Sequence, residues 1–527
     1  MSPISRRNFL GAVGAVSTSG LILPFAVGCD SSGEQGGVTI KSGSVPIPDR
    51  FTLPFRTPPV IQPASSAGTT DYFDVRAYTT KLQILPGVQT EVFSYNGTFP
   101  GPTFDVRKGR TAVVRTRNDL PVPIVTHLHG GKTPEASDGY PTDLILPTGG
   151  WSAAGHAGHA AKGLAMEGTT SEGSFDYSYP NAQRASTLWY HDHRMDFTGP
   201  QVWRGLAGFY VIRDEEEEAL PLPKGTRDLP VMIMDRAFNS DGSLAYPSID
   251  PTLKTTPGVT GSAHNGMEGD VILVNGVPWP RLEVQGARYR LRLLNASNAR
   301  RYRIRIKPEP SSGEPFTLIG SDGGLLAAPQ EMDSIYMVPG ERFDVIIDFG
   351  KYAAGTKIVM ENSLGDDAGT KEIMQFVVGS KVTDNTSIPD TLSTVERLDP
   401  ARAVRTRSFS LARFSEGGHW VYKINGYPFS TDRSWADVKR GDIEVWEFSS
   451  TTHHPIHLHL SPFQVWKRGG STTIRPEDVG WKDTARLEPN KKLSVLVRFD
   501  GYTGRYVFHC HNLEHEDMAM MANFRVT

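Results

Sequence analysis

Asn425-Gly426-Tyr427-Pro428 opens a pattern of turns and strands that occurs three times in the chain. In this copy the turn is followed by the short segment Asp437-Val438-Lys439-Arg440-Gly441 and the alternating segment Ile443-Glu444-Val445-Trp446-Glu447-Phe448. The other two copies begin at Asn96-Gly97-Thr98-Phe99-Pro100 and at Asn275-Gly276-Val277-Pro278. Asn-Gly turns beside short alternating segments indicate half-buried β-strands. Three copies therefore predict three consecutive β-sandwich units in an all-β chain.

Composition agrees with a turn-rich β protein and limits the class of partner. The chain has 527 residues, 53 glycines, 38 prolines and a net charge of −3, without the repeats of a low-complexity sequence. Such a weak charge gives no sign of a nucleic acid or an anionic membrane surface as partner. The predicted units are residues 55–218, 226–380 and 400–527.

Two stretches are predicted to separate the units. The acidic run Glu215 to Glu218, followed by Pro221 and Pro223, is typical of a linker with a solvated face. The stretch from Thr383 to Thr394, rich in Ser, Thr and Pro, is expected to separate the second unit from the third.

The N-terminus has the features of an export signal, which we place at residues 1–29. Ser5-Arg6-Arg7-Asn8-Phe9-Leu10 precedes an apolar run and resembles a twin-arginine signal. Ala26-Val27-Gly28-Cys29 resembles a lipoprotein cleavage site, so lipidation at Cys29 and plain cleavage nearby are both open. Residues 30–54 are expected to form a flexible leader. The protein is then periplasmic or extracellular, with a possible membrane anchor.

Ten of the 15 histidines lie in four short clusters. On a β-strand, residues two apart share a face, so each His-x-His pair can grip one metal ion or bridge two. The clusters are His127 and His129; His191 and His193; His454, His457 and His459; and His509, His511 and His515. All of them fall in the first and third units. The second unit is expected to be metal-free, and the metals should lie where the first and third units meet.

The segment His509-Cys510-His511 links two predicted metal sites. Because successive strand residues point to opposite faces, His509 and His511 face one way and Cys510 the other. A lone Cys with His ligands and a distant Met, here Met520, is the ligand set of a blue-copper centre. If Cys510 binds metal, the only other cysteine, Cys29, has no disulfide partner.

These motifs resemble the multicopper oxidases in their form with three cupredoxin domains, over Phe55 to Thr527. The supporting stretches are His127-Leu128-His129-Gly130-Gly131, Ser137-Asp138-Gly139-Tyr140-Pro141, His457-Leu458-His459-Leu460 and His515-Glu516-Asp517. The resemblance is strongest to bacterial spore-coat laccases, bilirubin oxidases and phenoxazinone synthase. It implies three Greek-key cupredoxin sandwiches that hold four copper ions.

The resemblance also implies a ligand set for each copper. Type 1 copper takes His454, Cys510, His515 and Met520; type 2 copper takes His127 and His457; the type 3 pair takes His129, His191, His193, His459, His509 and His511. His453 competes with His454, and Met518 and Met521 with Met520, but the spacing favours the first-named residues. Electrons are expected to enter at Cys510 and to leave through His509 and His511.

Other residues receive less specific predictions. Asp138 and Glu516 resemble acidic residues that relay protons to oxygen in the family; the alternative is ordinary surface carboxylates. His156 and His159 lie in an Ala/Gly-rich insertion, residues 152–168, expected to be an exposed loop. His264 and His419 are expected to be structural or solvent-facing.

The leading functional prediction is a laccase-like oxidase that couples oxidation of phenols or aromatic amines to reduction of O2 to water. The alternatives are a Cu(I) or Mn(II) metallo-oxidase in copper tolerance, a bilirubin oxidase, and an exported cupredoxin scaffold without copper. A copper nitrite reductase is disfavoured because it lacks the full set of four His motifs. We expect a monomer whose partners are O2 and a small aromatic donor or a metal ion. The sequence does not name the donor.

Overall fold

The computed structural model of the protein describes residues 37–152, 166–366, 369–416 and 419–527. The predicted export signal, Cys29, His156 and His159 lie outside these ranges. None of the helices in the described ranges is long and apolar enough to cross a membrane.

The first β-sandwich pairs a five-stranded sheet, in the order β10-β6-β3-β2 with β4 on β3, with a four-stranded sheet in the order β5-β12-β11-β7. Its core contains Phe73, Phe104 and Tyr190. The strands and helices up to residue 219 are β1 Val38–Ile40, β2 Ser65–Ala67, β3 Thr70–Leu82, β4 Thr90–Tyr95, β5 Gly101–Arg107, β6 Thr111–Asn118, β7 Thr126–His129, β8 Leu144–Leu146, β9 Thr170–Glu172, β10 Ser174–Tyr179, β11 Ser186–Asp192, α1 Thr198–Arg204, β12 Ala207–Arg213 and α2 Glu215–Ala219.

The second sandwich pairs a seven-stranded sheet, β16-β15-β13-β18-β23-β20-β21, with a five-stranded sheet, β17-β25-β24-β19-β22. Its strands are β13 Asp228–Arg236, β14 Met267–Gly269, β15 Val271–Val274, β16 Val277–Pro278, β17 Arg281–Gly286, β18 Arg288–Asn295, β19 Tyr302–Lys307, β20 Phe316–Ser321, β21 Gly324–Met332, β22 Ile335–Met337, β23 Arg342–Asp348, β24 Lys357–Asn362 and β25 Glu372–Lys381.

The third sandwich pairs two five-stranded sheets, β27-β26-β29-β33-β31 and β28-β35-β34-β30-β32. Its elements are β26 Arg405–Glu416, β27 His419–Ile424, β28 Ser434–Val438, β29 Ile443–Ser450, β30 His454–Leu458, β31 Phe463–Arg468, β32 Thr484–Leu487, β33 Leu493–Arg498, β34 Gly504–Cys510, α3 Leu513–Asp517 and β35 Met521–Val526. Short 3-10 turns lie at Glu135–Ser137, Gly225–Arg227, Gly261–Asn265, Phe349–Lys351, Pro400–Arg402 and Pro476–Asp478.

The three sandwiches share one connectivity. In each, an earlier strand that does not adjoin the Asn-Gly turn pairs in parallel with the alternating strand that follows the turn: β3 with β6, β13 with β18, and β26 with β29. In each, the short strand after the turn pairs in parallel with the last strand: β5 with β12, β17 with β25, and β28 with β35. The prediction of an all-β chain of three repeated sandwiches is confirmed.

The three Asn-Gly turns are built alike. Asn96, Asn275 and Asn425 have φ of 53°, 50° and 52°, the left-handed region in which Asn followed by Gly is favoured. Each Asn side chain accepts a hydrogen bond from the main-chain N–H of a residue on β3, β13 or β26: Arg76, Met232 and Ser410. The side chain therefore fixes the turn to this earlier strand of the same sandwich.

Within the acidic run Glu215, Glu216 and Glu218 are exposed, as predicted, but the run is a structured element and not a linker. It forms α2, capped by Asp214, whose side chain accepts from the Glu217 N–H. Glu217 is buried, and its carboxylate lies 2.9 Å from Arg292 and 3.1 Å from Arg290, on β18 of the second sandwich. A run of charged residues predicts a solvent-facing segment, but the buried Arg290 and Arg292 require a buried anion close to them, and Glu217 supplies it.

The predicted flexible leader is also corrected for the residues that the structure describes. Strand β1 pairs in parallel with β14, and Ser42 donates to Asp270. Residues 37–54 therefore pack on the second sandwich.

The second predicted separator is held by the second sandwich. Residues 382–399 contain no strand or helix, yet Asp384 is paired with Arg227 at 2.8 Å.

Candidate metal centre

The end of β34 carries ligand-type side chains to two separate clusters. In the pairing of β34 with β30, Cys510 lies opposite Ile456 and His509 opposite His457. His509 and the next-but-one residue His511 point into a cluster of imidazoles, whereas Cys510 points to His454 and His515. The alternation predicted from the sequence therefore separates the two sites.

Eight buried imidazoles form the larger cluster. Four of the imidazoles lie in the first sandwich, on β7, on β11 and directly after β11. The other four lie in the third sandwich, on β30 and β34 and directly after each of these strands. Facing ring nitrogens lie close together, for example His127 Nε2 and His457 Nε2 at 3.4 Å and His459 Nε2 and His509 Nε2 at 3.2 Å. The members are His127, His129, His191, His193, His457, His459, His509 and His511.

The outward nitrogens of these rings are held by the protein. His127 Nδ1 donates to the Asp138 carbonyl, and His457 Nδ1 donates to the Asp483 carbonyl at 2.9 Å. A neutral imidazole has one N–H and one lone pair, and a carbonyl only accepts, so the inward nitrogens carry lone pairs. Lone pairs that face each other are unfavourable unless a cation lies between them. Imidazole clusters of this kind suit copper, zinc, iron or nickel.

The electrostatics keep these rings in the form that binds metal. Burial is the main cause that lowers the pKa of His191 to about 3 and that of His193 to about 4. At neutral pH both are uncharged, with a lone pair free for a metal ion. The buried Nε2 of His191 has no hydrogen-bond partner.

The smaller cluster contains the thiol. Cys510 Sγ lies 3.3 Å from His454 Nδ1 and 3.6 Å from His515 Nδ1, and the two ring nitrogens are 3.2 Å apart. Met520 is fully buried in the same core cluster as Cys510. A thiolate and two imidazoles, with a thioether as a weak fourth ligand, are the donors of a blue-copper site.

The residues that compete with His454 and Met520 as ligands are placed differently. His454, Cys510 and His515 have their ligand atoms within 4.8 Å of one another. His453 does not belong to this group and lines a surface cleft. Met521 packs with Tyr140 in another core cluster, and Met518 is a partly buried residue at the edge of the Cys510 core cluster that also lines a different cavity.

Comparisons with known proteins agree with this geometry. A laccase of Bacillus subtilis is 34% identical to this chain, over 91% of the chain and 99% of the relative. Family models described as multicopper oxidase match residues 76–154 and 151–217, 248–371, and 398–527. The chain belongs to the multicopper oxidase family.

This multicopper oxidase has further relatives of the same kind. The bilirubin oxidase of Albifimbria verrucaria is 34% identical, over 90% of this chain and 81% of the relative. The crystal structure of a laccase from Pediococcus acidilactici superposes with a TM-score of 0.78 at 29% identity, covering 93% of this chain and 96% of that one. The predicted family, the enzyme class and the laccase-like use of copper, O2 and a reducing substrate are thereby confirmed.

Two carboxylic acids of the oxidase touch the imidazole cluster. Asp138 Oδ2 lies 2.7 Å from His459 Nδ1. Glu516 Oε2 lies 3.1 Å from His509 Nδ1, and Glu516 Oε1 accepts from the Thr198 hydroxyl at 2.8 Å. Both side chains are fully buried, so the alternative of surface carboxylates is wrong. Burial raises the pKa of Asp138 well above its ordinary value.

Sequence reasoning missed a contribution from the second sandwich. Asp483 of the third sandwich has its Oδ1 3.0 Å from His129 Nε2. Arg342 of the second sandwich donates to both oxygens of the Asp483 carboxylate through its two Nη atoms. Gly340 approaches the cluster so closely that a Cβ there would lie 3.1 Å from His129 Cε1 and from His511 Cγ. The clustered imidazoles lie on the first and third sandwiches, and the second sandwich orients them through Arg342 and Gly340. No motif marks Asp483 or Arg342, because their link is made only by folding.

A surface cleft leads to the thiol cluster. His515, which is 6% exposed, lies at its wall, and Tyr422 stacks on the His515 ring with centroids 4.1 Å apart. Pro339 and Pro455 add apolar surface, and Arg301 and Arg413 add positive charge. Among the described residues that line the cleft there is no Asp or Glu.

Proposed function

We propose that this multicopper oxidase takes small aromatic donors, phenols or aromatic amines, at the cleft beside His515. The observation that carries the proposal is the lining of that cleft: aromatic and proline surfaces with two guanidinium groups and, among the described residues, no carboxylate. Cu(I) and Mn(II) are cations, and Mn(II) prefers carboxylate and water ligands. A cleft of this charge disfavours them, so the metallo-oxidase alternative has less support.

We propose four copper ions held by the ligand sets that the family resemblance implies. His454, Cys510, His515 and Met520 would hold type 1 copper, and the eight clustered imidazoles would hold the other three. His127 and His457, which face each other, would share type 2 copper, and the remaining six would hold the type 3 pair. The facing lone pairs and the buried thiol support this assignment and disfavour a copper-free scaffold.

Bound copper would supply the one-electron chemistry, in which four donors each lose an electron and a proton and one O2 gains four of each to form two waters. The protein supplies the connection between the sites. Cys510 is covalently joined to His509 and His511, so only a few bonds separate the thiol from the imidazole cluster. Burial of all three side chains excludes water from this connection.

Asp138 and Glu516 are proposed to hold and transfer the protons that O2 reduction consumes. Each touches a different imidazole of the cluster, His459 and His509. Glu516 also accepts from Thr198, whose main-chain N–H donates to Asp517 at 2.7 Å. Asp517 lines a cavity with Phe197 and Tyr246. This chain of hydrogen-bonding groups extends from the cluster toward that cavity.

Replacement of Cys510 tests the assignment of the sites. Cys510→Ser removes the soft thiolate, and we expect loss of the blue colour and of donor oxidation while the imidazole cluster keeps its copper. Metal analysis and visible absorption measure both effects on copper-loaded protein. Wild-type absorption and activity in the variant would contradict the assignment.

The donor class is tested by O2 consumption with phenols, bilirubin, Cu(I) and Mn(II) measured side by side. We expect the aromatic donors to be oxidised with the highest kcat/KM. A higher kcat/KM for Cu(I) or Mn(II) would favour the metallo-oxidase, and a dominant bilirubin activity would favour the bilirubin oxidase. Copper-loaded protein without O2 consumption with any of them would support the scaffold.

We also propose export by the twin-arginine route, with the enzyme as a periplasmic or extracellular monomer that lipidation at Cys29 anchors. The support is the pattern of the first 29 residues. Arg6→Lys with Arg7→Lys should leave the precursor inside the cell, and Cys29→Ser should release the enzyme from membranes. Unchanged fractionation would refute each point, and light scattering of the purified enzyme measures its mass.

A further inference from the structure

One positive group in the lining of the donor cleft is Arg413, on β26. Its guanidinium carbon lies 4.4 Å from the ring centroid of Trp420, and one Nη donates to Asn265 Oδ1 at 2.6 Å. Stacking on an indole leaves the edge of a guanidinium open for hydrogen bonds. The side chain is partly exposed, and no carboxylate of the described residues pairs with it. Arg413 is thus held in place with its charge directed at the cleft.

Neighbouring groups do not cancel this charge. Arg301 also lines the cleft, but its guanidinium is engaged by other groups. Glu268, a carboxylate near the cleft wall at Gly37, is already paired with Arg300 at 3.1 Å. Among the described residues that line the cleft, Arg413 is therefore a positive charge without a carboxylate partner.

The aromatic wall and the positive wall adjoin. Tyr422 stacks on His515 and lines the cleft together with Arg413. A donor that places its ring near His515 has a guanidinium within the same cleft. A carboxylate or sulfonate on such a ring would gain charge-assisted hydrogen bonds that a neutral donor lacks.

We propose that the cleft selects aromatic donors that carry an acidic group, a carboxylate or a sulfonate, and that Arg413 is the residue that determines this specificity. The inference rests on the proposed oxidation of aromatic donors at His515. The chemistry of the donor is unchanged: each phenolic donor loses one electron and one proton to give a phenoxyl radical. The acidic group takes no part in that step and serves only for binding.

A matched pair of donors tests the inference: 2,6-dimethoxyphenol and its 4-carboxylate, syringate, at pH 7, where the carboxylate is ionised. The two donors differ in intrinsic reactivity, so the measured quantity is the ratio of their kcat/KM values, compared between variants. In Arg413→Gln we expect the ratio of syringate to dimethoxyphenol to fall about tenfold, mainly through a higher KM for syringate. Arg413→Lys, which keeps the charge without the fork of donors, should give an intermediate ratio.

Arg115→Gln is the control. Arg115 is an exposed arginine on β6 that pairs with Asp176 at 2.9 Å, far from the cleft lining, and its loss changes the net charge by the same amount. Its ratio should equal that of the wild type. An unchanged ratio in Arg413→Gln, or an equal fall in Arg115→Gln, would overturn the inference.

A binding measurement gives a readout independent of turnover. Titration calorimetry with the redox-inert pair 4-methoxybenzoate and 4-methoxybenzamide should show tighter binding of the carboxylate to the wild type, and loss of this preference in Arg413→Gln. Equal affinities in the wild type would overturn the inference. If copper-loaded wild type oxidises neither phenol, the proposed function fails; oxidation of dimethoxyphenol with no preference for anions refutes only the inference.

Discussion

At the scale of the residue, the centre is defined by which nitrogen of each imidazole the protein holds. His457 is bonded through Nδ1 to the Asp483 carbonyl, whereas His129 is bonded through Nε2 to the Asp483 carboxylate. These contacts set which nitrogen faces inward, and they leave His129 Nδ1 buried without a partner. Outer contacts of this kind orient metal ligands and fix their tautomers.

The proposed transfer of protons by Glu516 can be tested by a single substitution. Glu516→Gln keeps the shape of the side chain but removes its capacity to carry a proton between Thr198 and the cluster. We expect reduction of the blue centre by a donor without O2 to persist, while O2 consumption slows by about a hundredfold or more. Stopped-flow absorption and an oxygen electrode measure the two steps separately.

Glu514→Gln is the matched control on the same helix. Its carboxylate contacts Asn298 and Tyr246, both at 2.8 Å, and no imidazole of the cluster. The rate of O2 consumption should fall far less than in Glu516→Gln. Equal rates in the two variants would show that the cluster does not need a proton carrier at Glu516.

At the scale of the element, helix α2 joins the first and second sandwiches through buried charges. Arg292 contacts Glu217 and Asp228, and Arg290 contacts Glu217 and Asp344. The exposed face of the acidic run was therefore predictable, but the burial of Glu217 was not. Partners on β18 and β23 are distant in sequence, and only their packing shows that the charges are compensated.

Removal of one anion from this network should destabilise the protein. Glu217→Gln leaves two buried arginines with less compensation, and we expect the free energy of unfolding to fall by roughly 3 kcal/mol. Glu215→Gln, at an exposed position of the same helix, should change it by less than about 0.5 kcal/mol. Chemical denaturation measures both, and similar values for the two variants would contradict a structural role for Glu217.

The same network predicts a pH dependence. Burial opposes ionisation of Glu217 and Asp228, but the arginines outweigh it and hold the pKa of each carboxyl well below its ordinary value. A lowered pKa in the folded state adds stability above the unfolded-state pKa, about 4, and that stability is lost as the pH falls toward the folded-state pKa. The stability difference between wild type and Glu217→Gln should therefore shrink below about pH 4. A difference that stays constant from pH 7 to pH 3 would refute this account.

At the scale of the whole molecule, all three sandwiches meet at the imidazole cluster. The first and third supply the rings, and the second supplies Arg342 and the turn at Gly340. Gly340 has φ of 87°, and its backbone packs against His129 and His511, one from each of the other sandwiches. The second sandwich thus closes a site whose imidazoles come from the other two.

Gly340→Ala tests this closure. A Cβ would press on both imidazoles, and we expect copper in the cluster and the rate of O2 consumption to fall about tenfold, while the blue absorption persists. Gly355→Ala is the control, because Gly355 has the similar φ of 85° but no atom within 4 Å of the added Cβ. Both variants share the backbone strain, so an equal loss in both would contradict a specific contact at Gly340.

The sequence by itself determined the strand pattern, the three-fold repeat and the types of ligand. Asn-Gly turns and alternation depend on local geometry, and the two faces of a strand separate Cys510 from His509 and His511 wherever that strand lies. Spacing favoured His454 over His453, but the contact of His454 with Cys510 and the burial of Asp138 and Glu516 became evident only in the folded chain.

Only the tertiary structure decided what surrounds the ligands. Asp483, Arg342 and Gly340 carry no motif, and their roles depend on contacts between residues more than a hundred positions apart. The charge of the donor cleft was hidden for the same reason, because Arg301, Arg413 and His515 come together only when two sandwiches pack. Local chemistry fixes strands and ligand types, whereas compensation of buried charge and the shape of a cleft are properties of the packed chain.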